Sequence, residues 1–328
     1  MRQYAIKRVA LFIPTVLLVT LIAFVVMRVI PGDPAIAILE GDGGGQYTQF
    51  DLDKLRAELG TDRPIAVQYI EWIGGVVRGD FGESLWFKSS VMTELGSRIP
   101  VTVELAILST LMAVVIAVPL GIVSAIRPDS PLDYSARIFT LIGIAIPNFL
   151  VAVLMILFLL KTFNWLPDLG YVELCVRVWT DGCEKGDIFK NLSQMFFPAL
   201  ALALYEMAFI ARVTRSSMME IIREDYMRTA RSKGLSERVV LFRHGLKNAI
   251  LPILTISGWQ FGRLFGGTVV IETIFLIPGM GRIVIEAVQH RDFPLIQAAI
   301  VIIGLAIISI NLLVDLLYGW LDPRIRYA

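Results

Sequence analysis

A chain of 328 residues in which 56% are hydrophobic and only 18% are Asp, Glu, Lys or Arg is too apolar for an ordinary soluble domain and reads as an integral membrane protein. A formal net charge of +1 identifies no partner, because local clusters and not totals create fields. Two cysteines in one polar segment, Cys175 and Cys183, and two histidines far apart in sequence, His244 and His290, argue against the usual four-ligand zinc spacing.

Arg2, Lys7 and Arg8 precede an apolar run from Val9 to Ile30. Crossing roughly 30 Å of hydrocarbon takes about 20 helical residues, so this run is long enough to span. It ends in Arg-Val-Ile-Pro-Gly-Asp-Pro without a small-x-small cleavage pattern, which favours a retained first span over a signal peptide. Pro31 to Pro100 follows as a polar segment richer in acidic than basic residues, with a helical pattern over Leu52–Gly60 and with Trp72 and Trp86. It reads as a small folded external region, Asp51 capping its helix; a passive connector is the plainer alternative.

Val101–Ile126 and Ala136–Leu160 are the second and third spans, Phe196–Val213, Ala249–Ile271 and Leu295–Leu317 the fourth to sixth. The chain thus divides into a tail with the first span (1–30), the external region (31–100) and a core domain (101–328). Within the core lies a coupling loop over 214–248. With the N-terminus inside, the inner loops and tails hold fifteen Lys and Arg against six in the short outer loops, the positive-inside asymmetry. Both termini are then cytoplasmic. Cys175 and Cys183 fall outside, where oxidising conditions permit a structural disulfide; the pair bonded and the pair free are both open.

The fifth span combines Pro252, Gly258, Gln260, Gly262, Arg263, Gly266 and Gly267. Small residues allow close helix approach, so a packing face is the bland reading. Gln260 and Arg263 add polar groups that lipid penalises, and Gln260 is read as facing a pathway. An ionised group at the bilayer centre costs at least about 2.5 kcal/mol, so by default it faces a cavity or a partner. Glu206 is the clearest case, with pairing to Arg212 or Arg263 as the structural alternative. Glu206, Gln260, Arg263 and Glu272 are the pathway candidates.

No G-x-S-x-G, H-E-x-x-H or C-x-x-C pattern occurs, nor a phosphate-cradling G-x-x-x-x-G-K-[ST]. The chain is read as a non-enzyme, without cofactor or metal, whose ATP dependence would come from a partner.

Eight basic residues lie between Arg215 and Lys247. Met218, Ile221, Ile222, Tyr226 and Thr229 repeat at helical spacing before Gly234, and Leu235, Val239, Phe242 and Leu246 after it, predicting two amphipathic helices joined at a glycine. Nucleic acid is disfavoured, since the loop is tethered between two spans and lacks an aromatic platform. Anionic lipid headgroups and topology enforcement are the bland reading. A protein groove accepting a short helix fits the apolar anchors and basic rim best.

Arg228-Thr229-Ala230, Arg231-Ser232-Lys233, Gly234 and then Ile250-Leu251-Pro252 resemble the cytoplasmic signature of the permease subunits of ATP-binding-cassette importers. The signature's glutamate and first alanine are here Arg228 and Thr229, and the gap from glycine to proline is longer, as in the dipeptide, oligopeptide and nickel branch. Pro31–Pro34, Gly79–Ser84, Arg212–Met218, Glu272–Arg282, Arg291–Gln297 and the closing Leu-Asp-Pro-Arg-Ile-Arg resemble that branch in order along the whole chain.

The resemblance implies an all-α membrane protein with six transmembrane helices of the type I importer permease fold, in a bacterial or archaeal inner membrane. It also implies a second homologous permease subunit, two ATPase subunits holding ATP and Mg, and an extracytoplasmic solute-binding protein, with surrounding membrane lipid and no nucleic acid. Tyr226, Arg228, Thr229, Ala230, Lys233, Gly234 and Leu235 would dock on the ATPase, and Asn248, Leu251 and Pro252 would fix the return into the membrane. Di- or oligopeptides are the expected cargo, nickel or another small solute the alternative. An ion-coupled secondary transporter is the rival class, disfavoured because no inverted repeat or paired midplane carboxylate stands out.

Overall fold

The computed structural model describes residues 2–29, 35–36, 39, 47–58, 60–173 and 187–321. Cys175 and Cys183 lie outside these residues. Apart from an isolated antiparallel bridge between Glu83 and Ser90, the regular structure described is helical. Among the described residues five helices are long and apolar enough to cross a membrane, and a pair bent by 106° makes six when it is counted as one span.

Helix α1 (Arg2–Val29) buries Thr20, Ala23, Phe24 and Met27 and leaves Leu11, Leu17, Leu18 and Val25 exposed. A helix apolar all round, with so much of it uncovered, suits a hydrocarbon surround. It lies against α13 (Phe293–Leu321), and a β-carbon on Gly304 would meet Val19 at 2.6 Å, so the two backbones approach through that glycine. Arg8 pairs with Asp315 at 2.9 Å across the contact.

In the segment that follows α1, α2 (Gln49–Glu58) begins at a reciprocal cap. Thr48 donates its amide and hydroxyl to Asp51 at 3.0 and 2.6 Å, and the Asp51 amide points back to the Thr48 hydroxyl at 3.3 Å. Thr48, then, is the cap, and Asp51 answers from the first turn, its carboxyl held below the usual range by the Thr48 hydroxyl and amide. Helix α3 (Ile65–Val77) docks on α1. Arg28 donates to the Gln68 side-chain oxygen at 2.9 and 2.7 Å, while Phe24 packs against Tyr69 and Trp72.

Helices α4 (Val91–Ile126) and α7 (Asp187–Ile222) have 36 residues each and form the most extensive contact in the molecule. At 1.5 Å per residue each is about 54 Å long, longer than the hydrocarbon is thick. Helix α4 starts at Val91, ahead of the apolar run that begins at Val101. The mating surface is small: Ala106, Ala113 and Ala117 of α4 and Ala199, Ala203 and Ala211 of α7 are buried, and a β-carbon on Gly121 would sit 2.7 Å from the Ala211 carbonyl.

The third span, expected as one helix over Ala136–Leu160, is two: α5 (Pro131–Ala145) and α6 (Asn148–Phe163), meeting at 106°. Ile146 is extended (φ −91°, ψ 124°) because the residue before a proline, here Pro147, is pushed out of the helical region. The fifth span is likewise divided, α10 (Lys247–Gly267) giving way at Thr268 to a short α11 (Val269–Ile274). A turn with Leu276 at φ +57° leads to α12 (Met280–Gln289) and α13.

Two stretches singled out in the sequence meet here. Asp292 is fully buried; it accepts hydrogen bonds from the Ser84 hydroxyl, the Trp86 amide at 3.2 Å and the Leu295 amide at 3.3 Å. The Trp86 and His290 rings stack at 3.5 Å. Gly79–Ser84 is thereby latched to Arg291–Gln297. Asp292→Ala leaves buried donors without an acceptor, so it is expected to lower stability by about 1–3 kcal/mol. It should also open the Glu83–Ser90 turn to limited proteolysis; unchanged cleavage and an unchanged unfolding midpoint would remove the latch.

Candidate functional site

Helix α7 stops at Ile222 and the chain turns at Arg223 and Glu224 into α8 (Asp225–Ser232). The single amphipathic helix expected over Met218–Thr229 is thus broken: Met218, Ile221 and Ile222 belong to α7, and α8 turns a new face inward. That face is Met227 and Ala230, buried against Val240 with Ile221 and Ile222 beside them. Asp225, Tyr226, Arg228, Thr229 and Lys233 are exposed.

The turn after α8 depends on Gly234. Its φ is +78°, its amide donates to the Arg231 carbonyl at 2.9 Å, and the Lys233 amide to the Thr229 carbonyl at 3.1 Å, an arrangement that L residues adopt at a cost. A β-carbon there would meet nothing within 4 Å, so conformation and not space requires the glycine. Arg231 spans the turn to Glu237, its Nη2 2.9 Å from the carboxylate.

Past the turn, α9 (Glu237–Val239) runs into a π-helical stretch over Val240–Leu246, which continues as α10. The wider helical turn changes which residues face inward. Val240, Leu241 and Gly245 are buried and Phe242 of the expected apolar stripe is 58% exposed; Leu235 of the same stripe is exposed because it precedes the helix, which starts at Glu237. Met218 and Met227 approach the Gly245 α-carbon so closely that a β-carbon would meet each at 3.3 Å. Asn248 reaches back and donates to the Tyr226 hydroxyl at 2.9 Å. Leu251 is half-buried and Pro252 exposed within α10. The predicted coupling residues from Tyr226 to Leu235, with Asn248, are therefore gathered into one U-shaped element over Asp225–Asn248, with an outer surface of basic residues set among Tyr226, Leu235 and Phe242; Leu251 and Pro252 lie beyond it in α10.

The pathway candidates separate. Glu206 and Gln260 are each 1% exposed, and both Glu206 carboxylate oxygens and the Gln260 amide nitrogen lack hydrogen-bond partners among the described residues. Arg263 forms no salt bridge with Glu206: exposed, it donates to the Tyr205 hydroxyl at 3.0 Å and lies over the Tyr205 and Trp259 rings. Glu272 is completely buried and fully engaged, accepting from the Thr102 and Thr268 hydroxyls at 2.8 Å each and from the Arg282 amide at 3.0 Å. Thr102 in turn accepts from the Met280 amide at 2.8 Å. This node joins α4, α11 and α12.

Sequence reasoning missed the buried carboxylate of Asp133. It lies in the first turn of α5 with no exposure. Arg215 Nε and Nη2 donate to it at 2.7 and 3.0 Å, Arg137 Nη2 at 2.7 Å, the Asp129 amide at 3.0 Å, and the Ser124 hydroxyl joins them. The available signal was Ser-Pro-x-Asp at Ser130–Asp133, a helix start, beside Arg215 in the Arg212–Met218 stretch; the pairing across the fold was invisible.

Residues 117–327 match the family described as binding-protein-dependent transport system inner membrane component, and residues 1–106 match its N-terminal counterpart. A putative peptide transport system permease protein of Brucella abortus is 38% identical over 329 residues, covering all of both chains. The oligopeptide transport system permease protein AppB of Bacillus subtilis is 38% identical over 328 residues, again covering both fully. The dipeptide transport system permease protein DppB of Escherichia coli is 36% identical over 343 residues, covering 100% of this chain and 99% of its own.

Proposed function

The chain belongs to the binding-protein-dependent transport system inner membrane components, and from that membership we propose that it is the permease subunit of an ATP-driven importer of di- or oligopeptides. Relatives named for peptide, oligopeptide and dipeptide transport support the cargo class over nickel. One half of the translocation path is formed by this chain, the other by a second homologous permease. Two ATPase subunits bind ATP and Mg at the cytoplasmic face, where both termini lie, and an extracytoplasmic solute-binding protein delivers the cargo.

The observation that carries this reading is the U-shaped element over Asp225–Asn248. A groove on the ATPase accepts α8 and its exposed rim of Arg228, Thr229, Lys233 and Leu235. Ala230 and Met227 hold the helix to the body of the permease, and the Tyr226–Asn248 bond closes the U. Because the element is continuous with α7 and α10, a displacement of the ATPase reaches the path without a separate relay. Along the path, exposed Arg263 meets the cargo, Gln260 and Glu206 lie behind it, and Glu272 anchors the wall.

The test is ATP hydrolysis by the complex reconstituted in nanodiscs. A binding protein loaded with a tripeptide is expected to raise the rate several-fold above the unloaded protein, and nickel is not. Stimulation by nickel alone would reassign the cargo, and uptake that follows an ion gradient without ATP would overturn the importer reading.

A further inference from the structure

Where α4 ends, α5 begins and α7 passes both, a cavity of about 450 Å³ opens, with Arg137, Arg212, Arg215 and Ser216 among its polar lining and Leu120 and Leu141 among its apolar lining. Two of the three guanidinium groups are already matched: Arg215 to Asp133, and Arg137 to Asp133 and Asp129. Arg212 is exposed and has no ion-pair or hydrogen-bond partner among the described residues. Three arginines against two aspartates leave the cavity one positive charge in excess.

The cavity is continuous with a strongly apolar surface. Ile138, Leu141 and Ile142 of α5 are 56%, 61% and 52% exposed, and Leu141 belongs to both. A ligand that fills the site must therefore present about one negative charge next to a long apolar body. A phospholipid phosphate has that charge and that attachment, and basic pockets between spans on the cytoplasmic side attract anionic headgroups. Free inorganic phosphate would satisfy the arginine but leave the α5 surface uncovered.

We propose that this cavity binds the headgroup phosphate of an anionic phospholipid of the cytoplasmic leaflet, Arg212 contacting the phosphate and the Ile138–Leu141–Ile142 surface contacting the acyl chains. The site depends on the proposed function only for its assignment to the cytoplasmic side. Lipid bound there fills the angle between α5 and α7 directly beside the Asp133 cluster, which gives the membrane a hold on the helix that leads into the coupling element.

The experiment uses the full chain, purified with the subunits that accompany it and exchanged into nanodiscs of phosphatidylcholine with graded phosphatidylglycerol. Retained lipid is read by native mass spectrometry, and peptide-stimulated ATP hydrolysis is measured on the same sample. Wild type is expected to retain phosphatidylglycerol. Arg212→Gln should bind it about fivefold more weakly, the worth of about one basic residue at an anionic surface. Arg212→Lys should restore it, and Arg78→Gln, an exposed charge in the external region, should leave it unchanged.

Equal retention by Arg212→Gln overturns the site, as does phosphatidylcholine held as firmly as phosphatidylglycerol or displacement of the lipid by inorganic phosphate at equal concentration. Loss of an ATPase subunit with lipid retention intact would place Arg212 in a subunit contact and overturn it too. A sample that retains the lipid through Arg212 but shows no ATP hydrolysis fails the importer reading and not this one.

Discussion

A chain carrying Asp133→Ala is expected to be about 1–3 kcal/mol less stable than the native chain, because it removes a buried acceptor shared by several donors, while the arginines it leaves, 21% and 40% exposed, still reach water. Arg215 keeps only its 3.1 Å contact with the Ser124 hydroxyl, Arg137 keeps a weaker 3.2 Å contact with exposed Asp129, and the Asp129 amide loses its acceptor. The midpoint of unfolding in mild detergent, followed by circular dichroism, measures the loss. Asp133→Asn should fall between the two, since it keeps shape and some hydrogen bonds but not charge. A shift below about 1 kcal/mol for alanine would mean that the cluster is solvated and weak, as exposed ion pairs are. The substitution should also loosen α5 from α7, so uptake should fall even where folded protein accumulates.

Gly234→Val is expected to spare folding and to damage coupling. The position is exposed and open to a side chain, yet a β-branched residue at φ +78° costs about 1–2 kcal/mol against its preferred backbone. That strain lowers the equilibrium constant for the native turn 5- to 30-fold (about 1.4 kcal/mol per tenfold) and works against the Arg231–Glu237 pair that spans it. Co-purification of the ATPase and ATP-dependent uptake should fall, by at most that factor, while the unfolding midpoint of the spans stays near that of the native chain. Gly234→Asn should be close to neutral, because asparagine tolerates the left-handed region. Full uptake by the valine variant would separate this turn from ATPase docking.

The span count was legible because apolar length is a one-dimensional property: the run from Val9 begins inside α1 and is helical to Val29, and Leu295–Leu317 lies within α13. The division of the third span was written at Pro147 but hidden within a run whose hydropathy never falters. Between α8 and α9, Gly234 and the Arg-x-Lys-Gly neighbourhood announced a turn, and the structure has one. The inward face past that turn was misjudged on two counts: the helix starts only at Glu237, which leaves Leu235 outside it, and the π-helical Val240–Leu246 stretch breaks the constant helical period, so that Val240, Leu241 and Gly245 are buried and Phe242 is not. Asp133, the Glu272 node and the Asp292 latch were unreadable for a common reason: each joins residues far apart in sequence, and no local pattern encodes which distant helix supplies the partner. The comparisons with relatives extend the family along the whole chain without assigning any of these three.

The alanine-lined contact between α4 and α7 has a mechanical consequence. Two helices meshed so closely along their length cannot slide past each other without driving Gly121 into the Ala211 backbone; the pair therefore behaves as a single stiff beam. A push at Ile222, where the beam ends and the joint to α8 begins, converts to tilt. Over about 54 Å a tilt of about 5° carries the opposite end through about 5 Å, roughly the width of a peptide backbone, with no side chain repacked between α4 and α7 themselves.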